Sequence, residues 1–313
     1  MKIILLSGST CSIPAMQFLA KQNMLQAVVS TTASNPNTMM VEQSALFLNI
    51  PHKKFSKRQL LTDFKSLLNE LQPDLCLAFG YGYKVPAELF TIPKFGFYNV
   101  HFSLLPAYRG RCPVFWQLKN GETRGGITIH EMDGEYDTGR ILMQKQIAIQ
   151  PGENHGIYSG RLSLESVMVI AEAVQRINTL RDGELTHQVE DNLSYAPALS
   201  LNDLKINWER QSAREIEQLV NAANPDYGGA ATVLRGQTIR ILEVSRAELN
   251  GAGGHLPGTI VYADLNHGIF VGCNNSEYLR INVTQSSEGI LSGFKLASLG
   301  VSAGERLETI ADQ

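Results

Sequence analysis

Met1-Lys-Ile-Ile-Leu-Leu-Ser-Gly-Ser-Thr10 is the stretch that decides the fold. Ile3–Leu6 is a continuous apolar run closed by a small polar loop, the form of a strand buried on both faces of a parallel sheet. A helix follows from about Pro14, a good first-turn residue, to Lys21, and Ala27–Ser30 reads as a second strand. This βαβ alternation predicts an α/β fold with a doubly wound, Rossmann-like parallel sheet. Ser7-Gly-Ser-Thr-Cys-Ser12 is not the G-x-G-x-x-G fingerprint, and no Walker pattern occurs, which argues against a nicotinamide or nucleoside-triphosphate enzyme. The opening six residues are too short for a signal peptide.

Further along, Thr31–Met40 is polar, contains Asn35-Pro36-Asn37 and reads as a loop. Helical spacing returns over Met40–Leu48 and Ser56–Leu71. The second has Ser56 as N-cap and places Leu60, Leu61, Phe64, Leu67, Leu68 and Leu71 on one apolar face. Leu75–Phe79 is another buried strand. It runs into Gly80-Tyr81-Gly82-Tyr83, whose glycines let main chain approach a flat ligand.

Length and composition bound the rest. At 313 residues the natural division is one large and one smaller domain. Hydrophobic content of 43% with 18% charged residues is ordinary for a soluble globular chain, and a net charge of −3 supplies no global field to gather nucleic acid. Cys11, Cys76, Cys112 and Cys273 are scattered without paired spacing. That pattern speaks against zinc and disulfides and fits a reducing cytoplasm. No apolar run approaches the roughly 20 residues that span a bilayer, so no membrane role is expected.

The chemistry concentrates in Asn99-Val-His-Phe-Ser-Leu-Leu-Pro-Ala-Tyr-Arg-Gly110. A short strand through Phe97, Tyr98 and Val100 points Asn99 and His101 to the same side, because alternate strand residues share a face. Pro106 and Gly110 then turn the chain. Downstream, the strand Gly126–His130 breaks into the acidic loop Met132-Asp133-Gly-Glu-Tyr-Asp137-Thr-Gly139. An amide, an imidazole and a carboxylate make a usable set for attack by an amine on an acyl group, if the fold unites them. His130, at a strand end, reads as a structural histidine. Pro113–Asn120 reads as a helix burying Phe115, Trp116 and Leu118, Ile141–Ile149 as a strand, and Ile157–Arg181 as a long amphipathic helix closing the first domain.

Asn99-x-His101-x-Ser103-Leu-Leu-Pro106-x-Tyr-Arg-Gly110, followed by Asp137-Thr-Gly139, resembles the signature of the 10-formyltetrahydrofolate-dependent formyltransferases. The overall layout is like that of the methionyl-tRNA formyltransferases. The resemblance implies transfer of a formyl group from N10 of the folate co-substrate to a primary amine. His101 would then be general base, Asn99 oxyanion donor, and Asp137 the residue that orients His101 or relays the proton. Phe79, Gly80, Tyr81, Gly82 and Tyr83 would form the wall holding the pterin, with Asp133 also on the folate. Ser103 and Arg109 belong first to loop structure, and no metal is required.

The resemblance further implies a domain boundary: residues 1–182 catalytic, 183–201 a linker without sustained periodicity, and 202–313 a small OB-like barrel. Trp208, a helix over Ala213–Ala223, and short runs at Ala230–Leu234, Ile239–Val244, Gly258–Tyr262, Gly268–Val271 and Tyr278–Val283 fit such a barrel. The acceptor is the open question. Methionyl-tRNA formyltransferases carry a long basic loop after the second strand, whereas Ser30–Met40 has no Lys or Arg. From Tyr195 onward nine basic residues face thirteen acidic ones, a poor phosphate-binding footprint. The expected acceptor is therefore a small-molecule amine, such as an amino sugar nucleotide or hydroxylated ornithine, with tRNA disfavoured. A non-catalytic folate-binding protein is a third reading, against which Asn99, His101 and Asp137 stand together. Oligomeric state has no signature here.

Overall fold

The computed structural model describes residues 1–179, 184–249 and 254–311. The chain divides into two compact units, one of Met1–Pro113, Arg124–Ala148 and Ser159–Pro197, the other of Val114–Thr123, Ile149–Tyr158 and Ala198–Gln313. The expected boundary at 182–183 and the expected helix end at Arg181 lie outside the described residues.

In chain order the first elements are β1 (Ile3–Ser7), α1 (Ile13–Lys21), β2 (Leu25–Thr31), α2 (Pro36–Phe47), β3 (His52–Phe55), α3 (Lys65–Leu71), β4 (Leu75–Phe79) and β5 (Phe97–His101). There follow α4 (Pro113–Lys119), β6 (Arg124–Glu131), β7 (Ile141–Ala148) and α5 (His155–Thr179). The sheet order is β3-β2-β1-β4-β5-β6-β7. β1 to β5 pair in parallel, and the strand order reverses between β1 and β4. Such a reversal opens a crevice beyond the carboxyl ends of the strands. Ile3, Ile4, Leu5 and Leu6 are fully buried, each stabilising the fold by about 1.5–3 kcal/mol relative to exposure.

Four expectations need amending. First, β6 and β7 run antiparallel, so the sheet is parallel only through β5. Second, the stretch expected to be loop through Met40 is helical from Pro36. Asn35 accepts from the Thr38 N–H while the Thr38 hydroxyl accepts from the Asn35 N–H, a capping box with Pro at the first position. Third, Ser56 does cap a helix, but Leu60–Phe64 is a π turn. Its wider stride keeps Leu60, Phe64 and Leu68 inward and turns Leu61 out, 47% exposed. Fourth, β3 escaped notice because its central Lys53 and Lys54 are exposed, as suits an edge strand.

The second unit contains α6 (Ala213–Ala223), β8 (Ala230–Leu234), β9 (Gln237–Ala247), β10 (Ile260–Asp264), β11 (Gly268–Gly272), β12 (Tyr278–Ser286), β13 (Gly289–Ser292), α7 (Gly293–Ser298) and β14 (Leu307–Glu308). Its antiparallel sheet runs β10-β11-β12-β9-β8-β14, with β13 added to β12. The path curls until its ends meet: Ile260 N–H donates to the Glu305 carbonyl, and Leu307 N–H to that of Gly258, both at 2.8 Å. This is the OB-like barrel. Trp208 is fully buried, its indole N–H donating to Thr232 Oγ1 at 2.9 Å.

Candidate active site

The sheet itself assembles the polar cluster. β5 carries Asn99 and His101 to the carboxyl end of the parallel strands, and antiparallel β6 returns beside it with His130 directly opposite Asn99. The loop after β6 then folds back to bring in Asp137, held at φ +56°, a left-handed conformation that a turn must impose on a non-glycine residue. Residues 38 positions apart thus meet: Asn99 Nδ2 donates to Asp137 Oδ1 at 3.1 Å. His130 Nε2 lies 3.3 Å from the same oxygen and 3.3 Å from Asn99 Nδ2. Oδ2 accepts the Gly110 N–H at 2.9 Å and faces His101 Nδ1 at 3.7 Å.

These partners fix tautomers. A carbonyl only accepts, so the 2.9 Å contact of His101 Nε2 with the Tyr108 oxygen puts a proton on Nε2 and leaves Nδ1 with its lone pair toward Asp137. At 3.7 Å, Asp137 is beyond hydrogen-bond range of that nitrogen, so the Tyr108 carbonyl orients the ring. His130 likewise donates from Nδ1 to the Glu131 carbonyl at 2.7 Å. With Nδ1 so engaged, its Nε2 is left to face Asn99 and Asp137.

Burial lowers the proton affinity of His101 and outweighs the attraction of Asp137 and the Tyr108 carbonyl, with the His130 charge acting in the same direction as burial. Burial pushes the Asp137 carboxyl upward, but His101, the His130 hydrogen bond and charge, and the Gly110 N–H together hold it well below the usual carboxylate range. The resting site is a carboxylate beside a neutral His101.

Asn99, His130 and Asp137 form one wall of a narrow cleft of about 80 Å³ that opens to solvent. The rest of the wall is mainly apolar and aromatic: Ala78, Tyr81, Tyr83, Val85, Met132 and Tyr136. Of the expected folate contacts, Tyr81, Tyr83 and Asp133 line this cleft. Phe79, Gly80 and Gly82 are not part of its wall. Phe79 packs edge-on against Phe102, and the Gly80 carbonyl accepts the Gly8 N–H at 3.2 Å. His101 stands behind Asp137, 6% exposed. Ser103 donates to the Ala107 carbonyl, the loop role expected of it. His130, read as structural, faces the cleft. The missed signal was its place seven residues before Asp137 on a strand that turns back antiparallel. Among the described residues no group of three His, Cys, Asp or Glu side chains is arranged to hold a metal ion.

Residues 1–174 match the formyl transferase family, and residues 198–293 match the formyl transferase C-terminal domain. This chain belongs to the formyl transferase family. The formyltransferase is 38% identical over 238 residues to a methionyl-tRNA formyltransferase of Geobacter metallireducens, covering 73% of each chain. It is 31% identical over 294 residues to that of Pelotomaculum thermopropionicum, covering 91% of this chain and 90% of the relative. In fold it is similar to HypX from Aquifex aeolicus in complex with tetrahydrofolic acid (TM-score 0.65, 16% identity, all of this chain and 51% of that one). It is also similar to an N-formyltransferase from Helicobacter canadensis in complex with folinic acid and dTDP-3-aminofucose (TM-score 0.66, 17% identity, 89% of this chain and 98% of that one). Likeness at that identity establishes architecture.

The relatives named for methionyl-tRNA overturn the expectation of a small-molecule acceptor, because the match runs through both domains. The physical error lay in treating charge count as a measure of RNA binding. A deficit of Lys and Arg weakens a broad phosphate footprint, yet says nothing about contacts that position an acceptor end. Nor is the stretch after β2 simply a shortened loop, since half of it is the start of α2.

Proposed function

We propose that this formyltransferase uses 10-formyltetrahydrofolate to formylate the amino group of methionyl-tRNA. The observation that carries this reading is the alignment of most of the chain, 91% of it with one relative, with proteins named methionyl-tRNA formyltransferase. The cleft suits a folate donor: a flat ring fits among Tyr81, Tyr83, Val85 and Met132. The Tyr81 hydroxyl, buried without a hydrogen-bond partner, offers a polar contact. The four cysteines, none of them in a disulfide, fit a cytoplasmic enzyme.

Transfer requires that an amine lose a proton and that a carbonyl oxygen take negative charge. Asn99 supplies the oxyanion donor. One of its amide hydrogens is held by Asp137, and the longer contact to His130 is the one exchanged for the formyl oxygen. Asp137, on the cleft wall and ionised, attracts the ammonium form and takes its proton; His101, whose lone-pair Nδ1 lies 3.7 Å away, is the general base that receives it once substrate binding draws the two into hydrogen-bond range. His130 is a fourth member, its Nε2 lying 3.3 Å from both Asn99 Nδ2 and Asp137 Oδ1. Asn99, His101 and His130 are held by β5 and β6 and Asp137 by the loop after β6, and preorganisation of this kind keeps reorganisation cost low.

The test is formylation of charged initiator tRNA by the purified protein with 10-formyltetrahydrofolate, beside free methionine and amino sugar nucleotides. Acid-precipitable formylmethionine that depends on the folate supports the reading. Formylation of the small amines alone overturns it.

A further inference from the structure

The passage before the barrel, which reads as a linker, is built into the catalytic site. Residues 184–197 lie across the first unit and bond in turn to the two loops that hold Asp137. Thr186 and Ile141 exchange main-chain hydrogen bonds at 2.8 and 3.0 Å. Gln188 then uses every part of its amide. Nε2 donates to the carbonyls of Asp137 and Gly139 at 2.9 and 2.8 Å, while Oε1 accepts from Nε and Nη2 of Arg109 at 3.0 and 2.7 Å.

The same passage grips the other loop farther on. Ser194 Oγ accepts the Tyr108 N–H and its carbonyl accepts the Arg109 N–H, both at 2.9 Å; Ala196 N–H donates to the Arg109 carbonyl at 2.7 Å. Gly110 lies so close that a Cβ there would sit 2.6 Å from the Ala196 oxygen, and its φ is +124°. The loop so clamped is the one whose Tyr108 carbonyl orients His101 and whose Gly110 N–H binds Asp137. Arg109 is buried, 7% exposed, and spends its guanidinium on Gln188. His187 and Val189 on either side of Gln188 are exposed, while Leu185 and Ala196 are buried, so two apolar anchors fix the ends of the passage and polar contacts fix the part that meets the site.

We infer that residues 184–197 are a positioning element of the catalytic site, and that Gln188 is the residue that sets Asp137 against Asn99, His101 and His130. This rests on the proposed formyl transfer, of which Asp137 is a part. One amide ties the Arg109 loop to the Asp137 loop, and the 3.7 Å separation of His101 from Asp137 is the distance between what those two loops hold. Displacement of a catalytic group by about 1 Å costs on the order of a hundredfold in rate.

Two substitutions isolate the contribution. Gln188→Glu keeps the acceptor for Arg109 and replaces the donor to the two carbonyls by an oxygen. Gln188→Met keeps the shape with neither bond and no charge. In full-length protein both are expected to lower kcat roughly tenfold to a hundredfold. The folate KM should stay within about twofold, and Gln188→Glu should melt close to wild type because its Arg109 half survives. An NMR titration of the His101 imidazole, comparing wild type with Gln188→Met, is expected to move, since the nearby carboxylate is no longer fixed. Unchanged kcat and titration in both variants would overturn the inference. So would lower kcat in step with a lower melting temperature and an unmoved His101 titration, the result for a mere tether. If wild-type protein leaves methionyl-tRNA unformylated, the acceptor reading fails, and the titration still decides the positioning role.

Discussion

Asp137 and His101 face each other across 3.7 Å, both nine-tenths buried or more, with the carboxylate ionised and the imidazole neutral. Both groups have folded-state proton affinities below their unfolded values. Each therefore contributes stability that is fully present above its unfolded pKa and is lost as pH falls through the folded one. An unfolded imidazole titrates near ~6.5, so His101 begins to favour the unfolded chain as pH drops below that value. Asp137 adds to the loss only in the carboxylate range and below. Melting temperature is expected to fall from pH 7 toward pH 5, and His101→Gln should flatten that slope. The activity profile should share the same acid limb. Scanning calorimetry across this range checks it, and a slope unchanged by the substitution contradicts it.

Asn99→Ala removes both the oxyanion donor and a hydrogen bond to Asp137. Loss of one such donor costs roughly 10²–10³ in kcat at comparable sites, and this magnitude is expected with folate affinity nearly intact. His130→Gln should cost less, because an amide can keep polar contacts with both Asn99 and Asp137. Because Asn99, His130 and Asp137 form one network, the double substitution should cost less than the product of the two. Single-turnover kinetics on the four proteins measures this, and strict multiplicativity would sever the network.

Gly80 has φ +67°, and a Cβ there would lie 2.6 Å from the Ser9 Cβ. Gly80→Ala is expected to destabilise by about 1–3 kcal/mol, since strain and a clash between two loops act together. It joins the loops after β1 and β4, at the reversal of strand order. Urea denaturation gives the value; a change below about 0.5 kcal/mol would show that the loops yield.

Tyr81→Phe should raise stability by about 1 kcal/mol and weaken folate binding, because the buried hydroxyl that it removes has no protein partner. Fluorescence titration with folate beside thermal melting separates the effects. Tighter or equal folate binding would show that the hydroxyl does not meet the ligand.

How much of this was legible in the sequence follows from where the interactions run. Ile3–Leu6 declared a central strand because burial on both faces leaves an unbroken apolar run, and Asn99 with His101 declared a shared face by their spacing. The role of His130 was hidden because it depends on β6 pairing antiparallel to β5, and strand direction is a property of the chain between them rather than of residue 130. The start of α2 was overlooked because Asn35-Pro36 signals a turn and a helix cap equally well. Gln188 carries no periodicity at all. Its meaning lies in four hydrogen bonds to atoms 49 to 79 positions away, two made with main-chain carbonyls and two with a single arginine fork, which leave no pattern in sequence.

The central claim is that Asp137, gathered with Asn99 and two imidazoles at the edge of the cleft, serves formyl transfer to methionyl-tRNA. The most direct measurement is the initial rate of formylmethionyl-tRNA formation from 10-formyltetrahydrofolate by wild-type protein and by Asp137→Asn. The variant keeps the shape, loses the charge and turns a donor toward the Gly110 N–H or the imidazoles. Folate-dependent product with wild type, and a rate at least about a hundredfold lower with the variant at similar folate affinity, is the predicted result. Product formed by both at comparable rates would contradict the account.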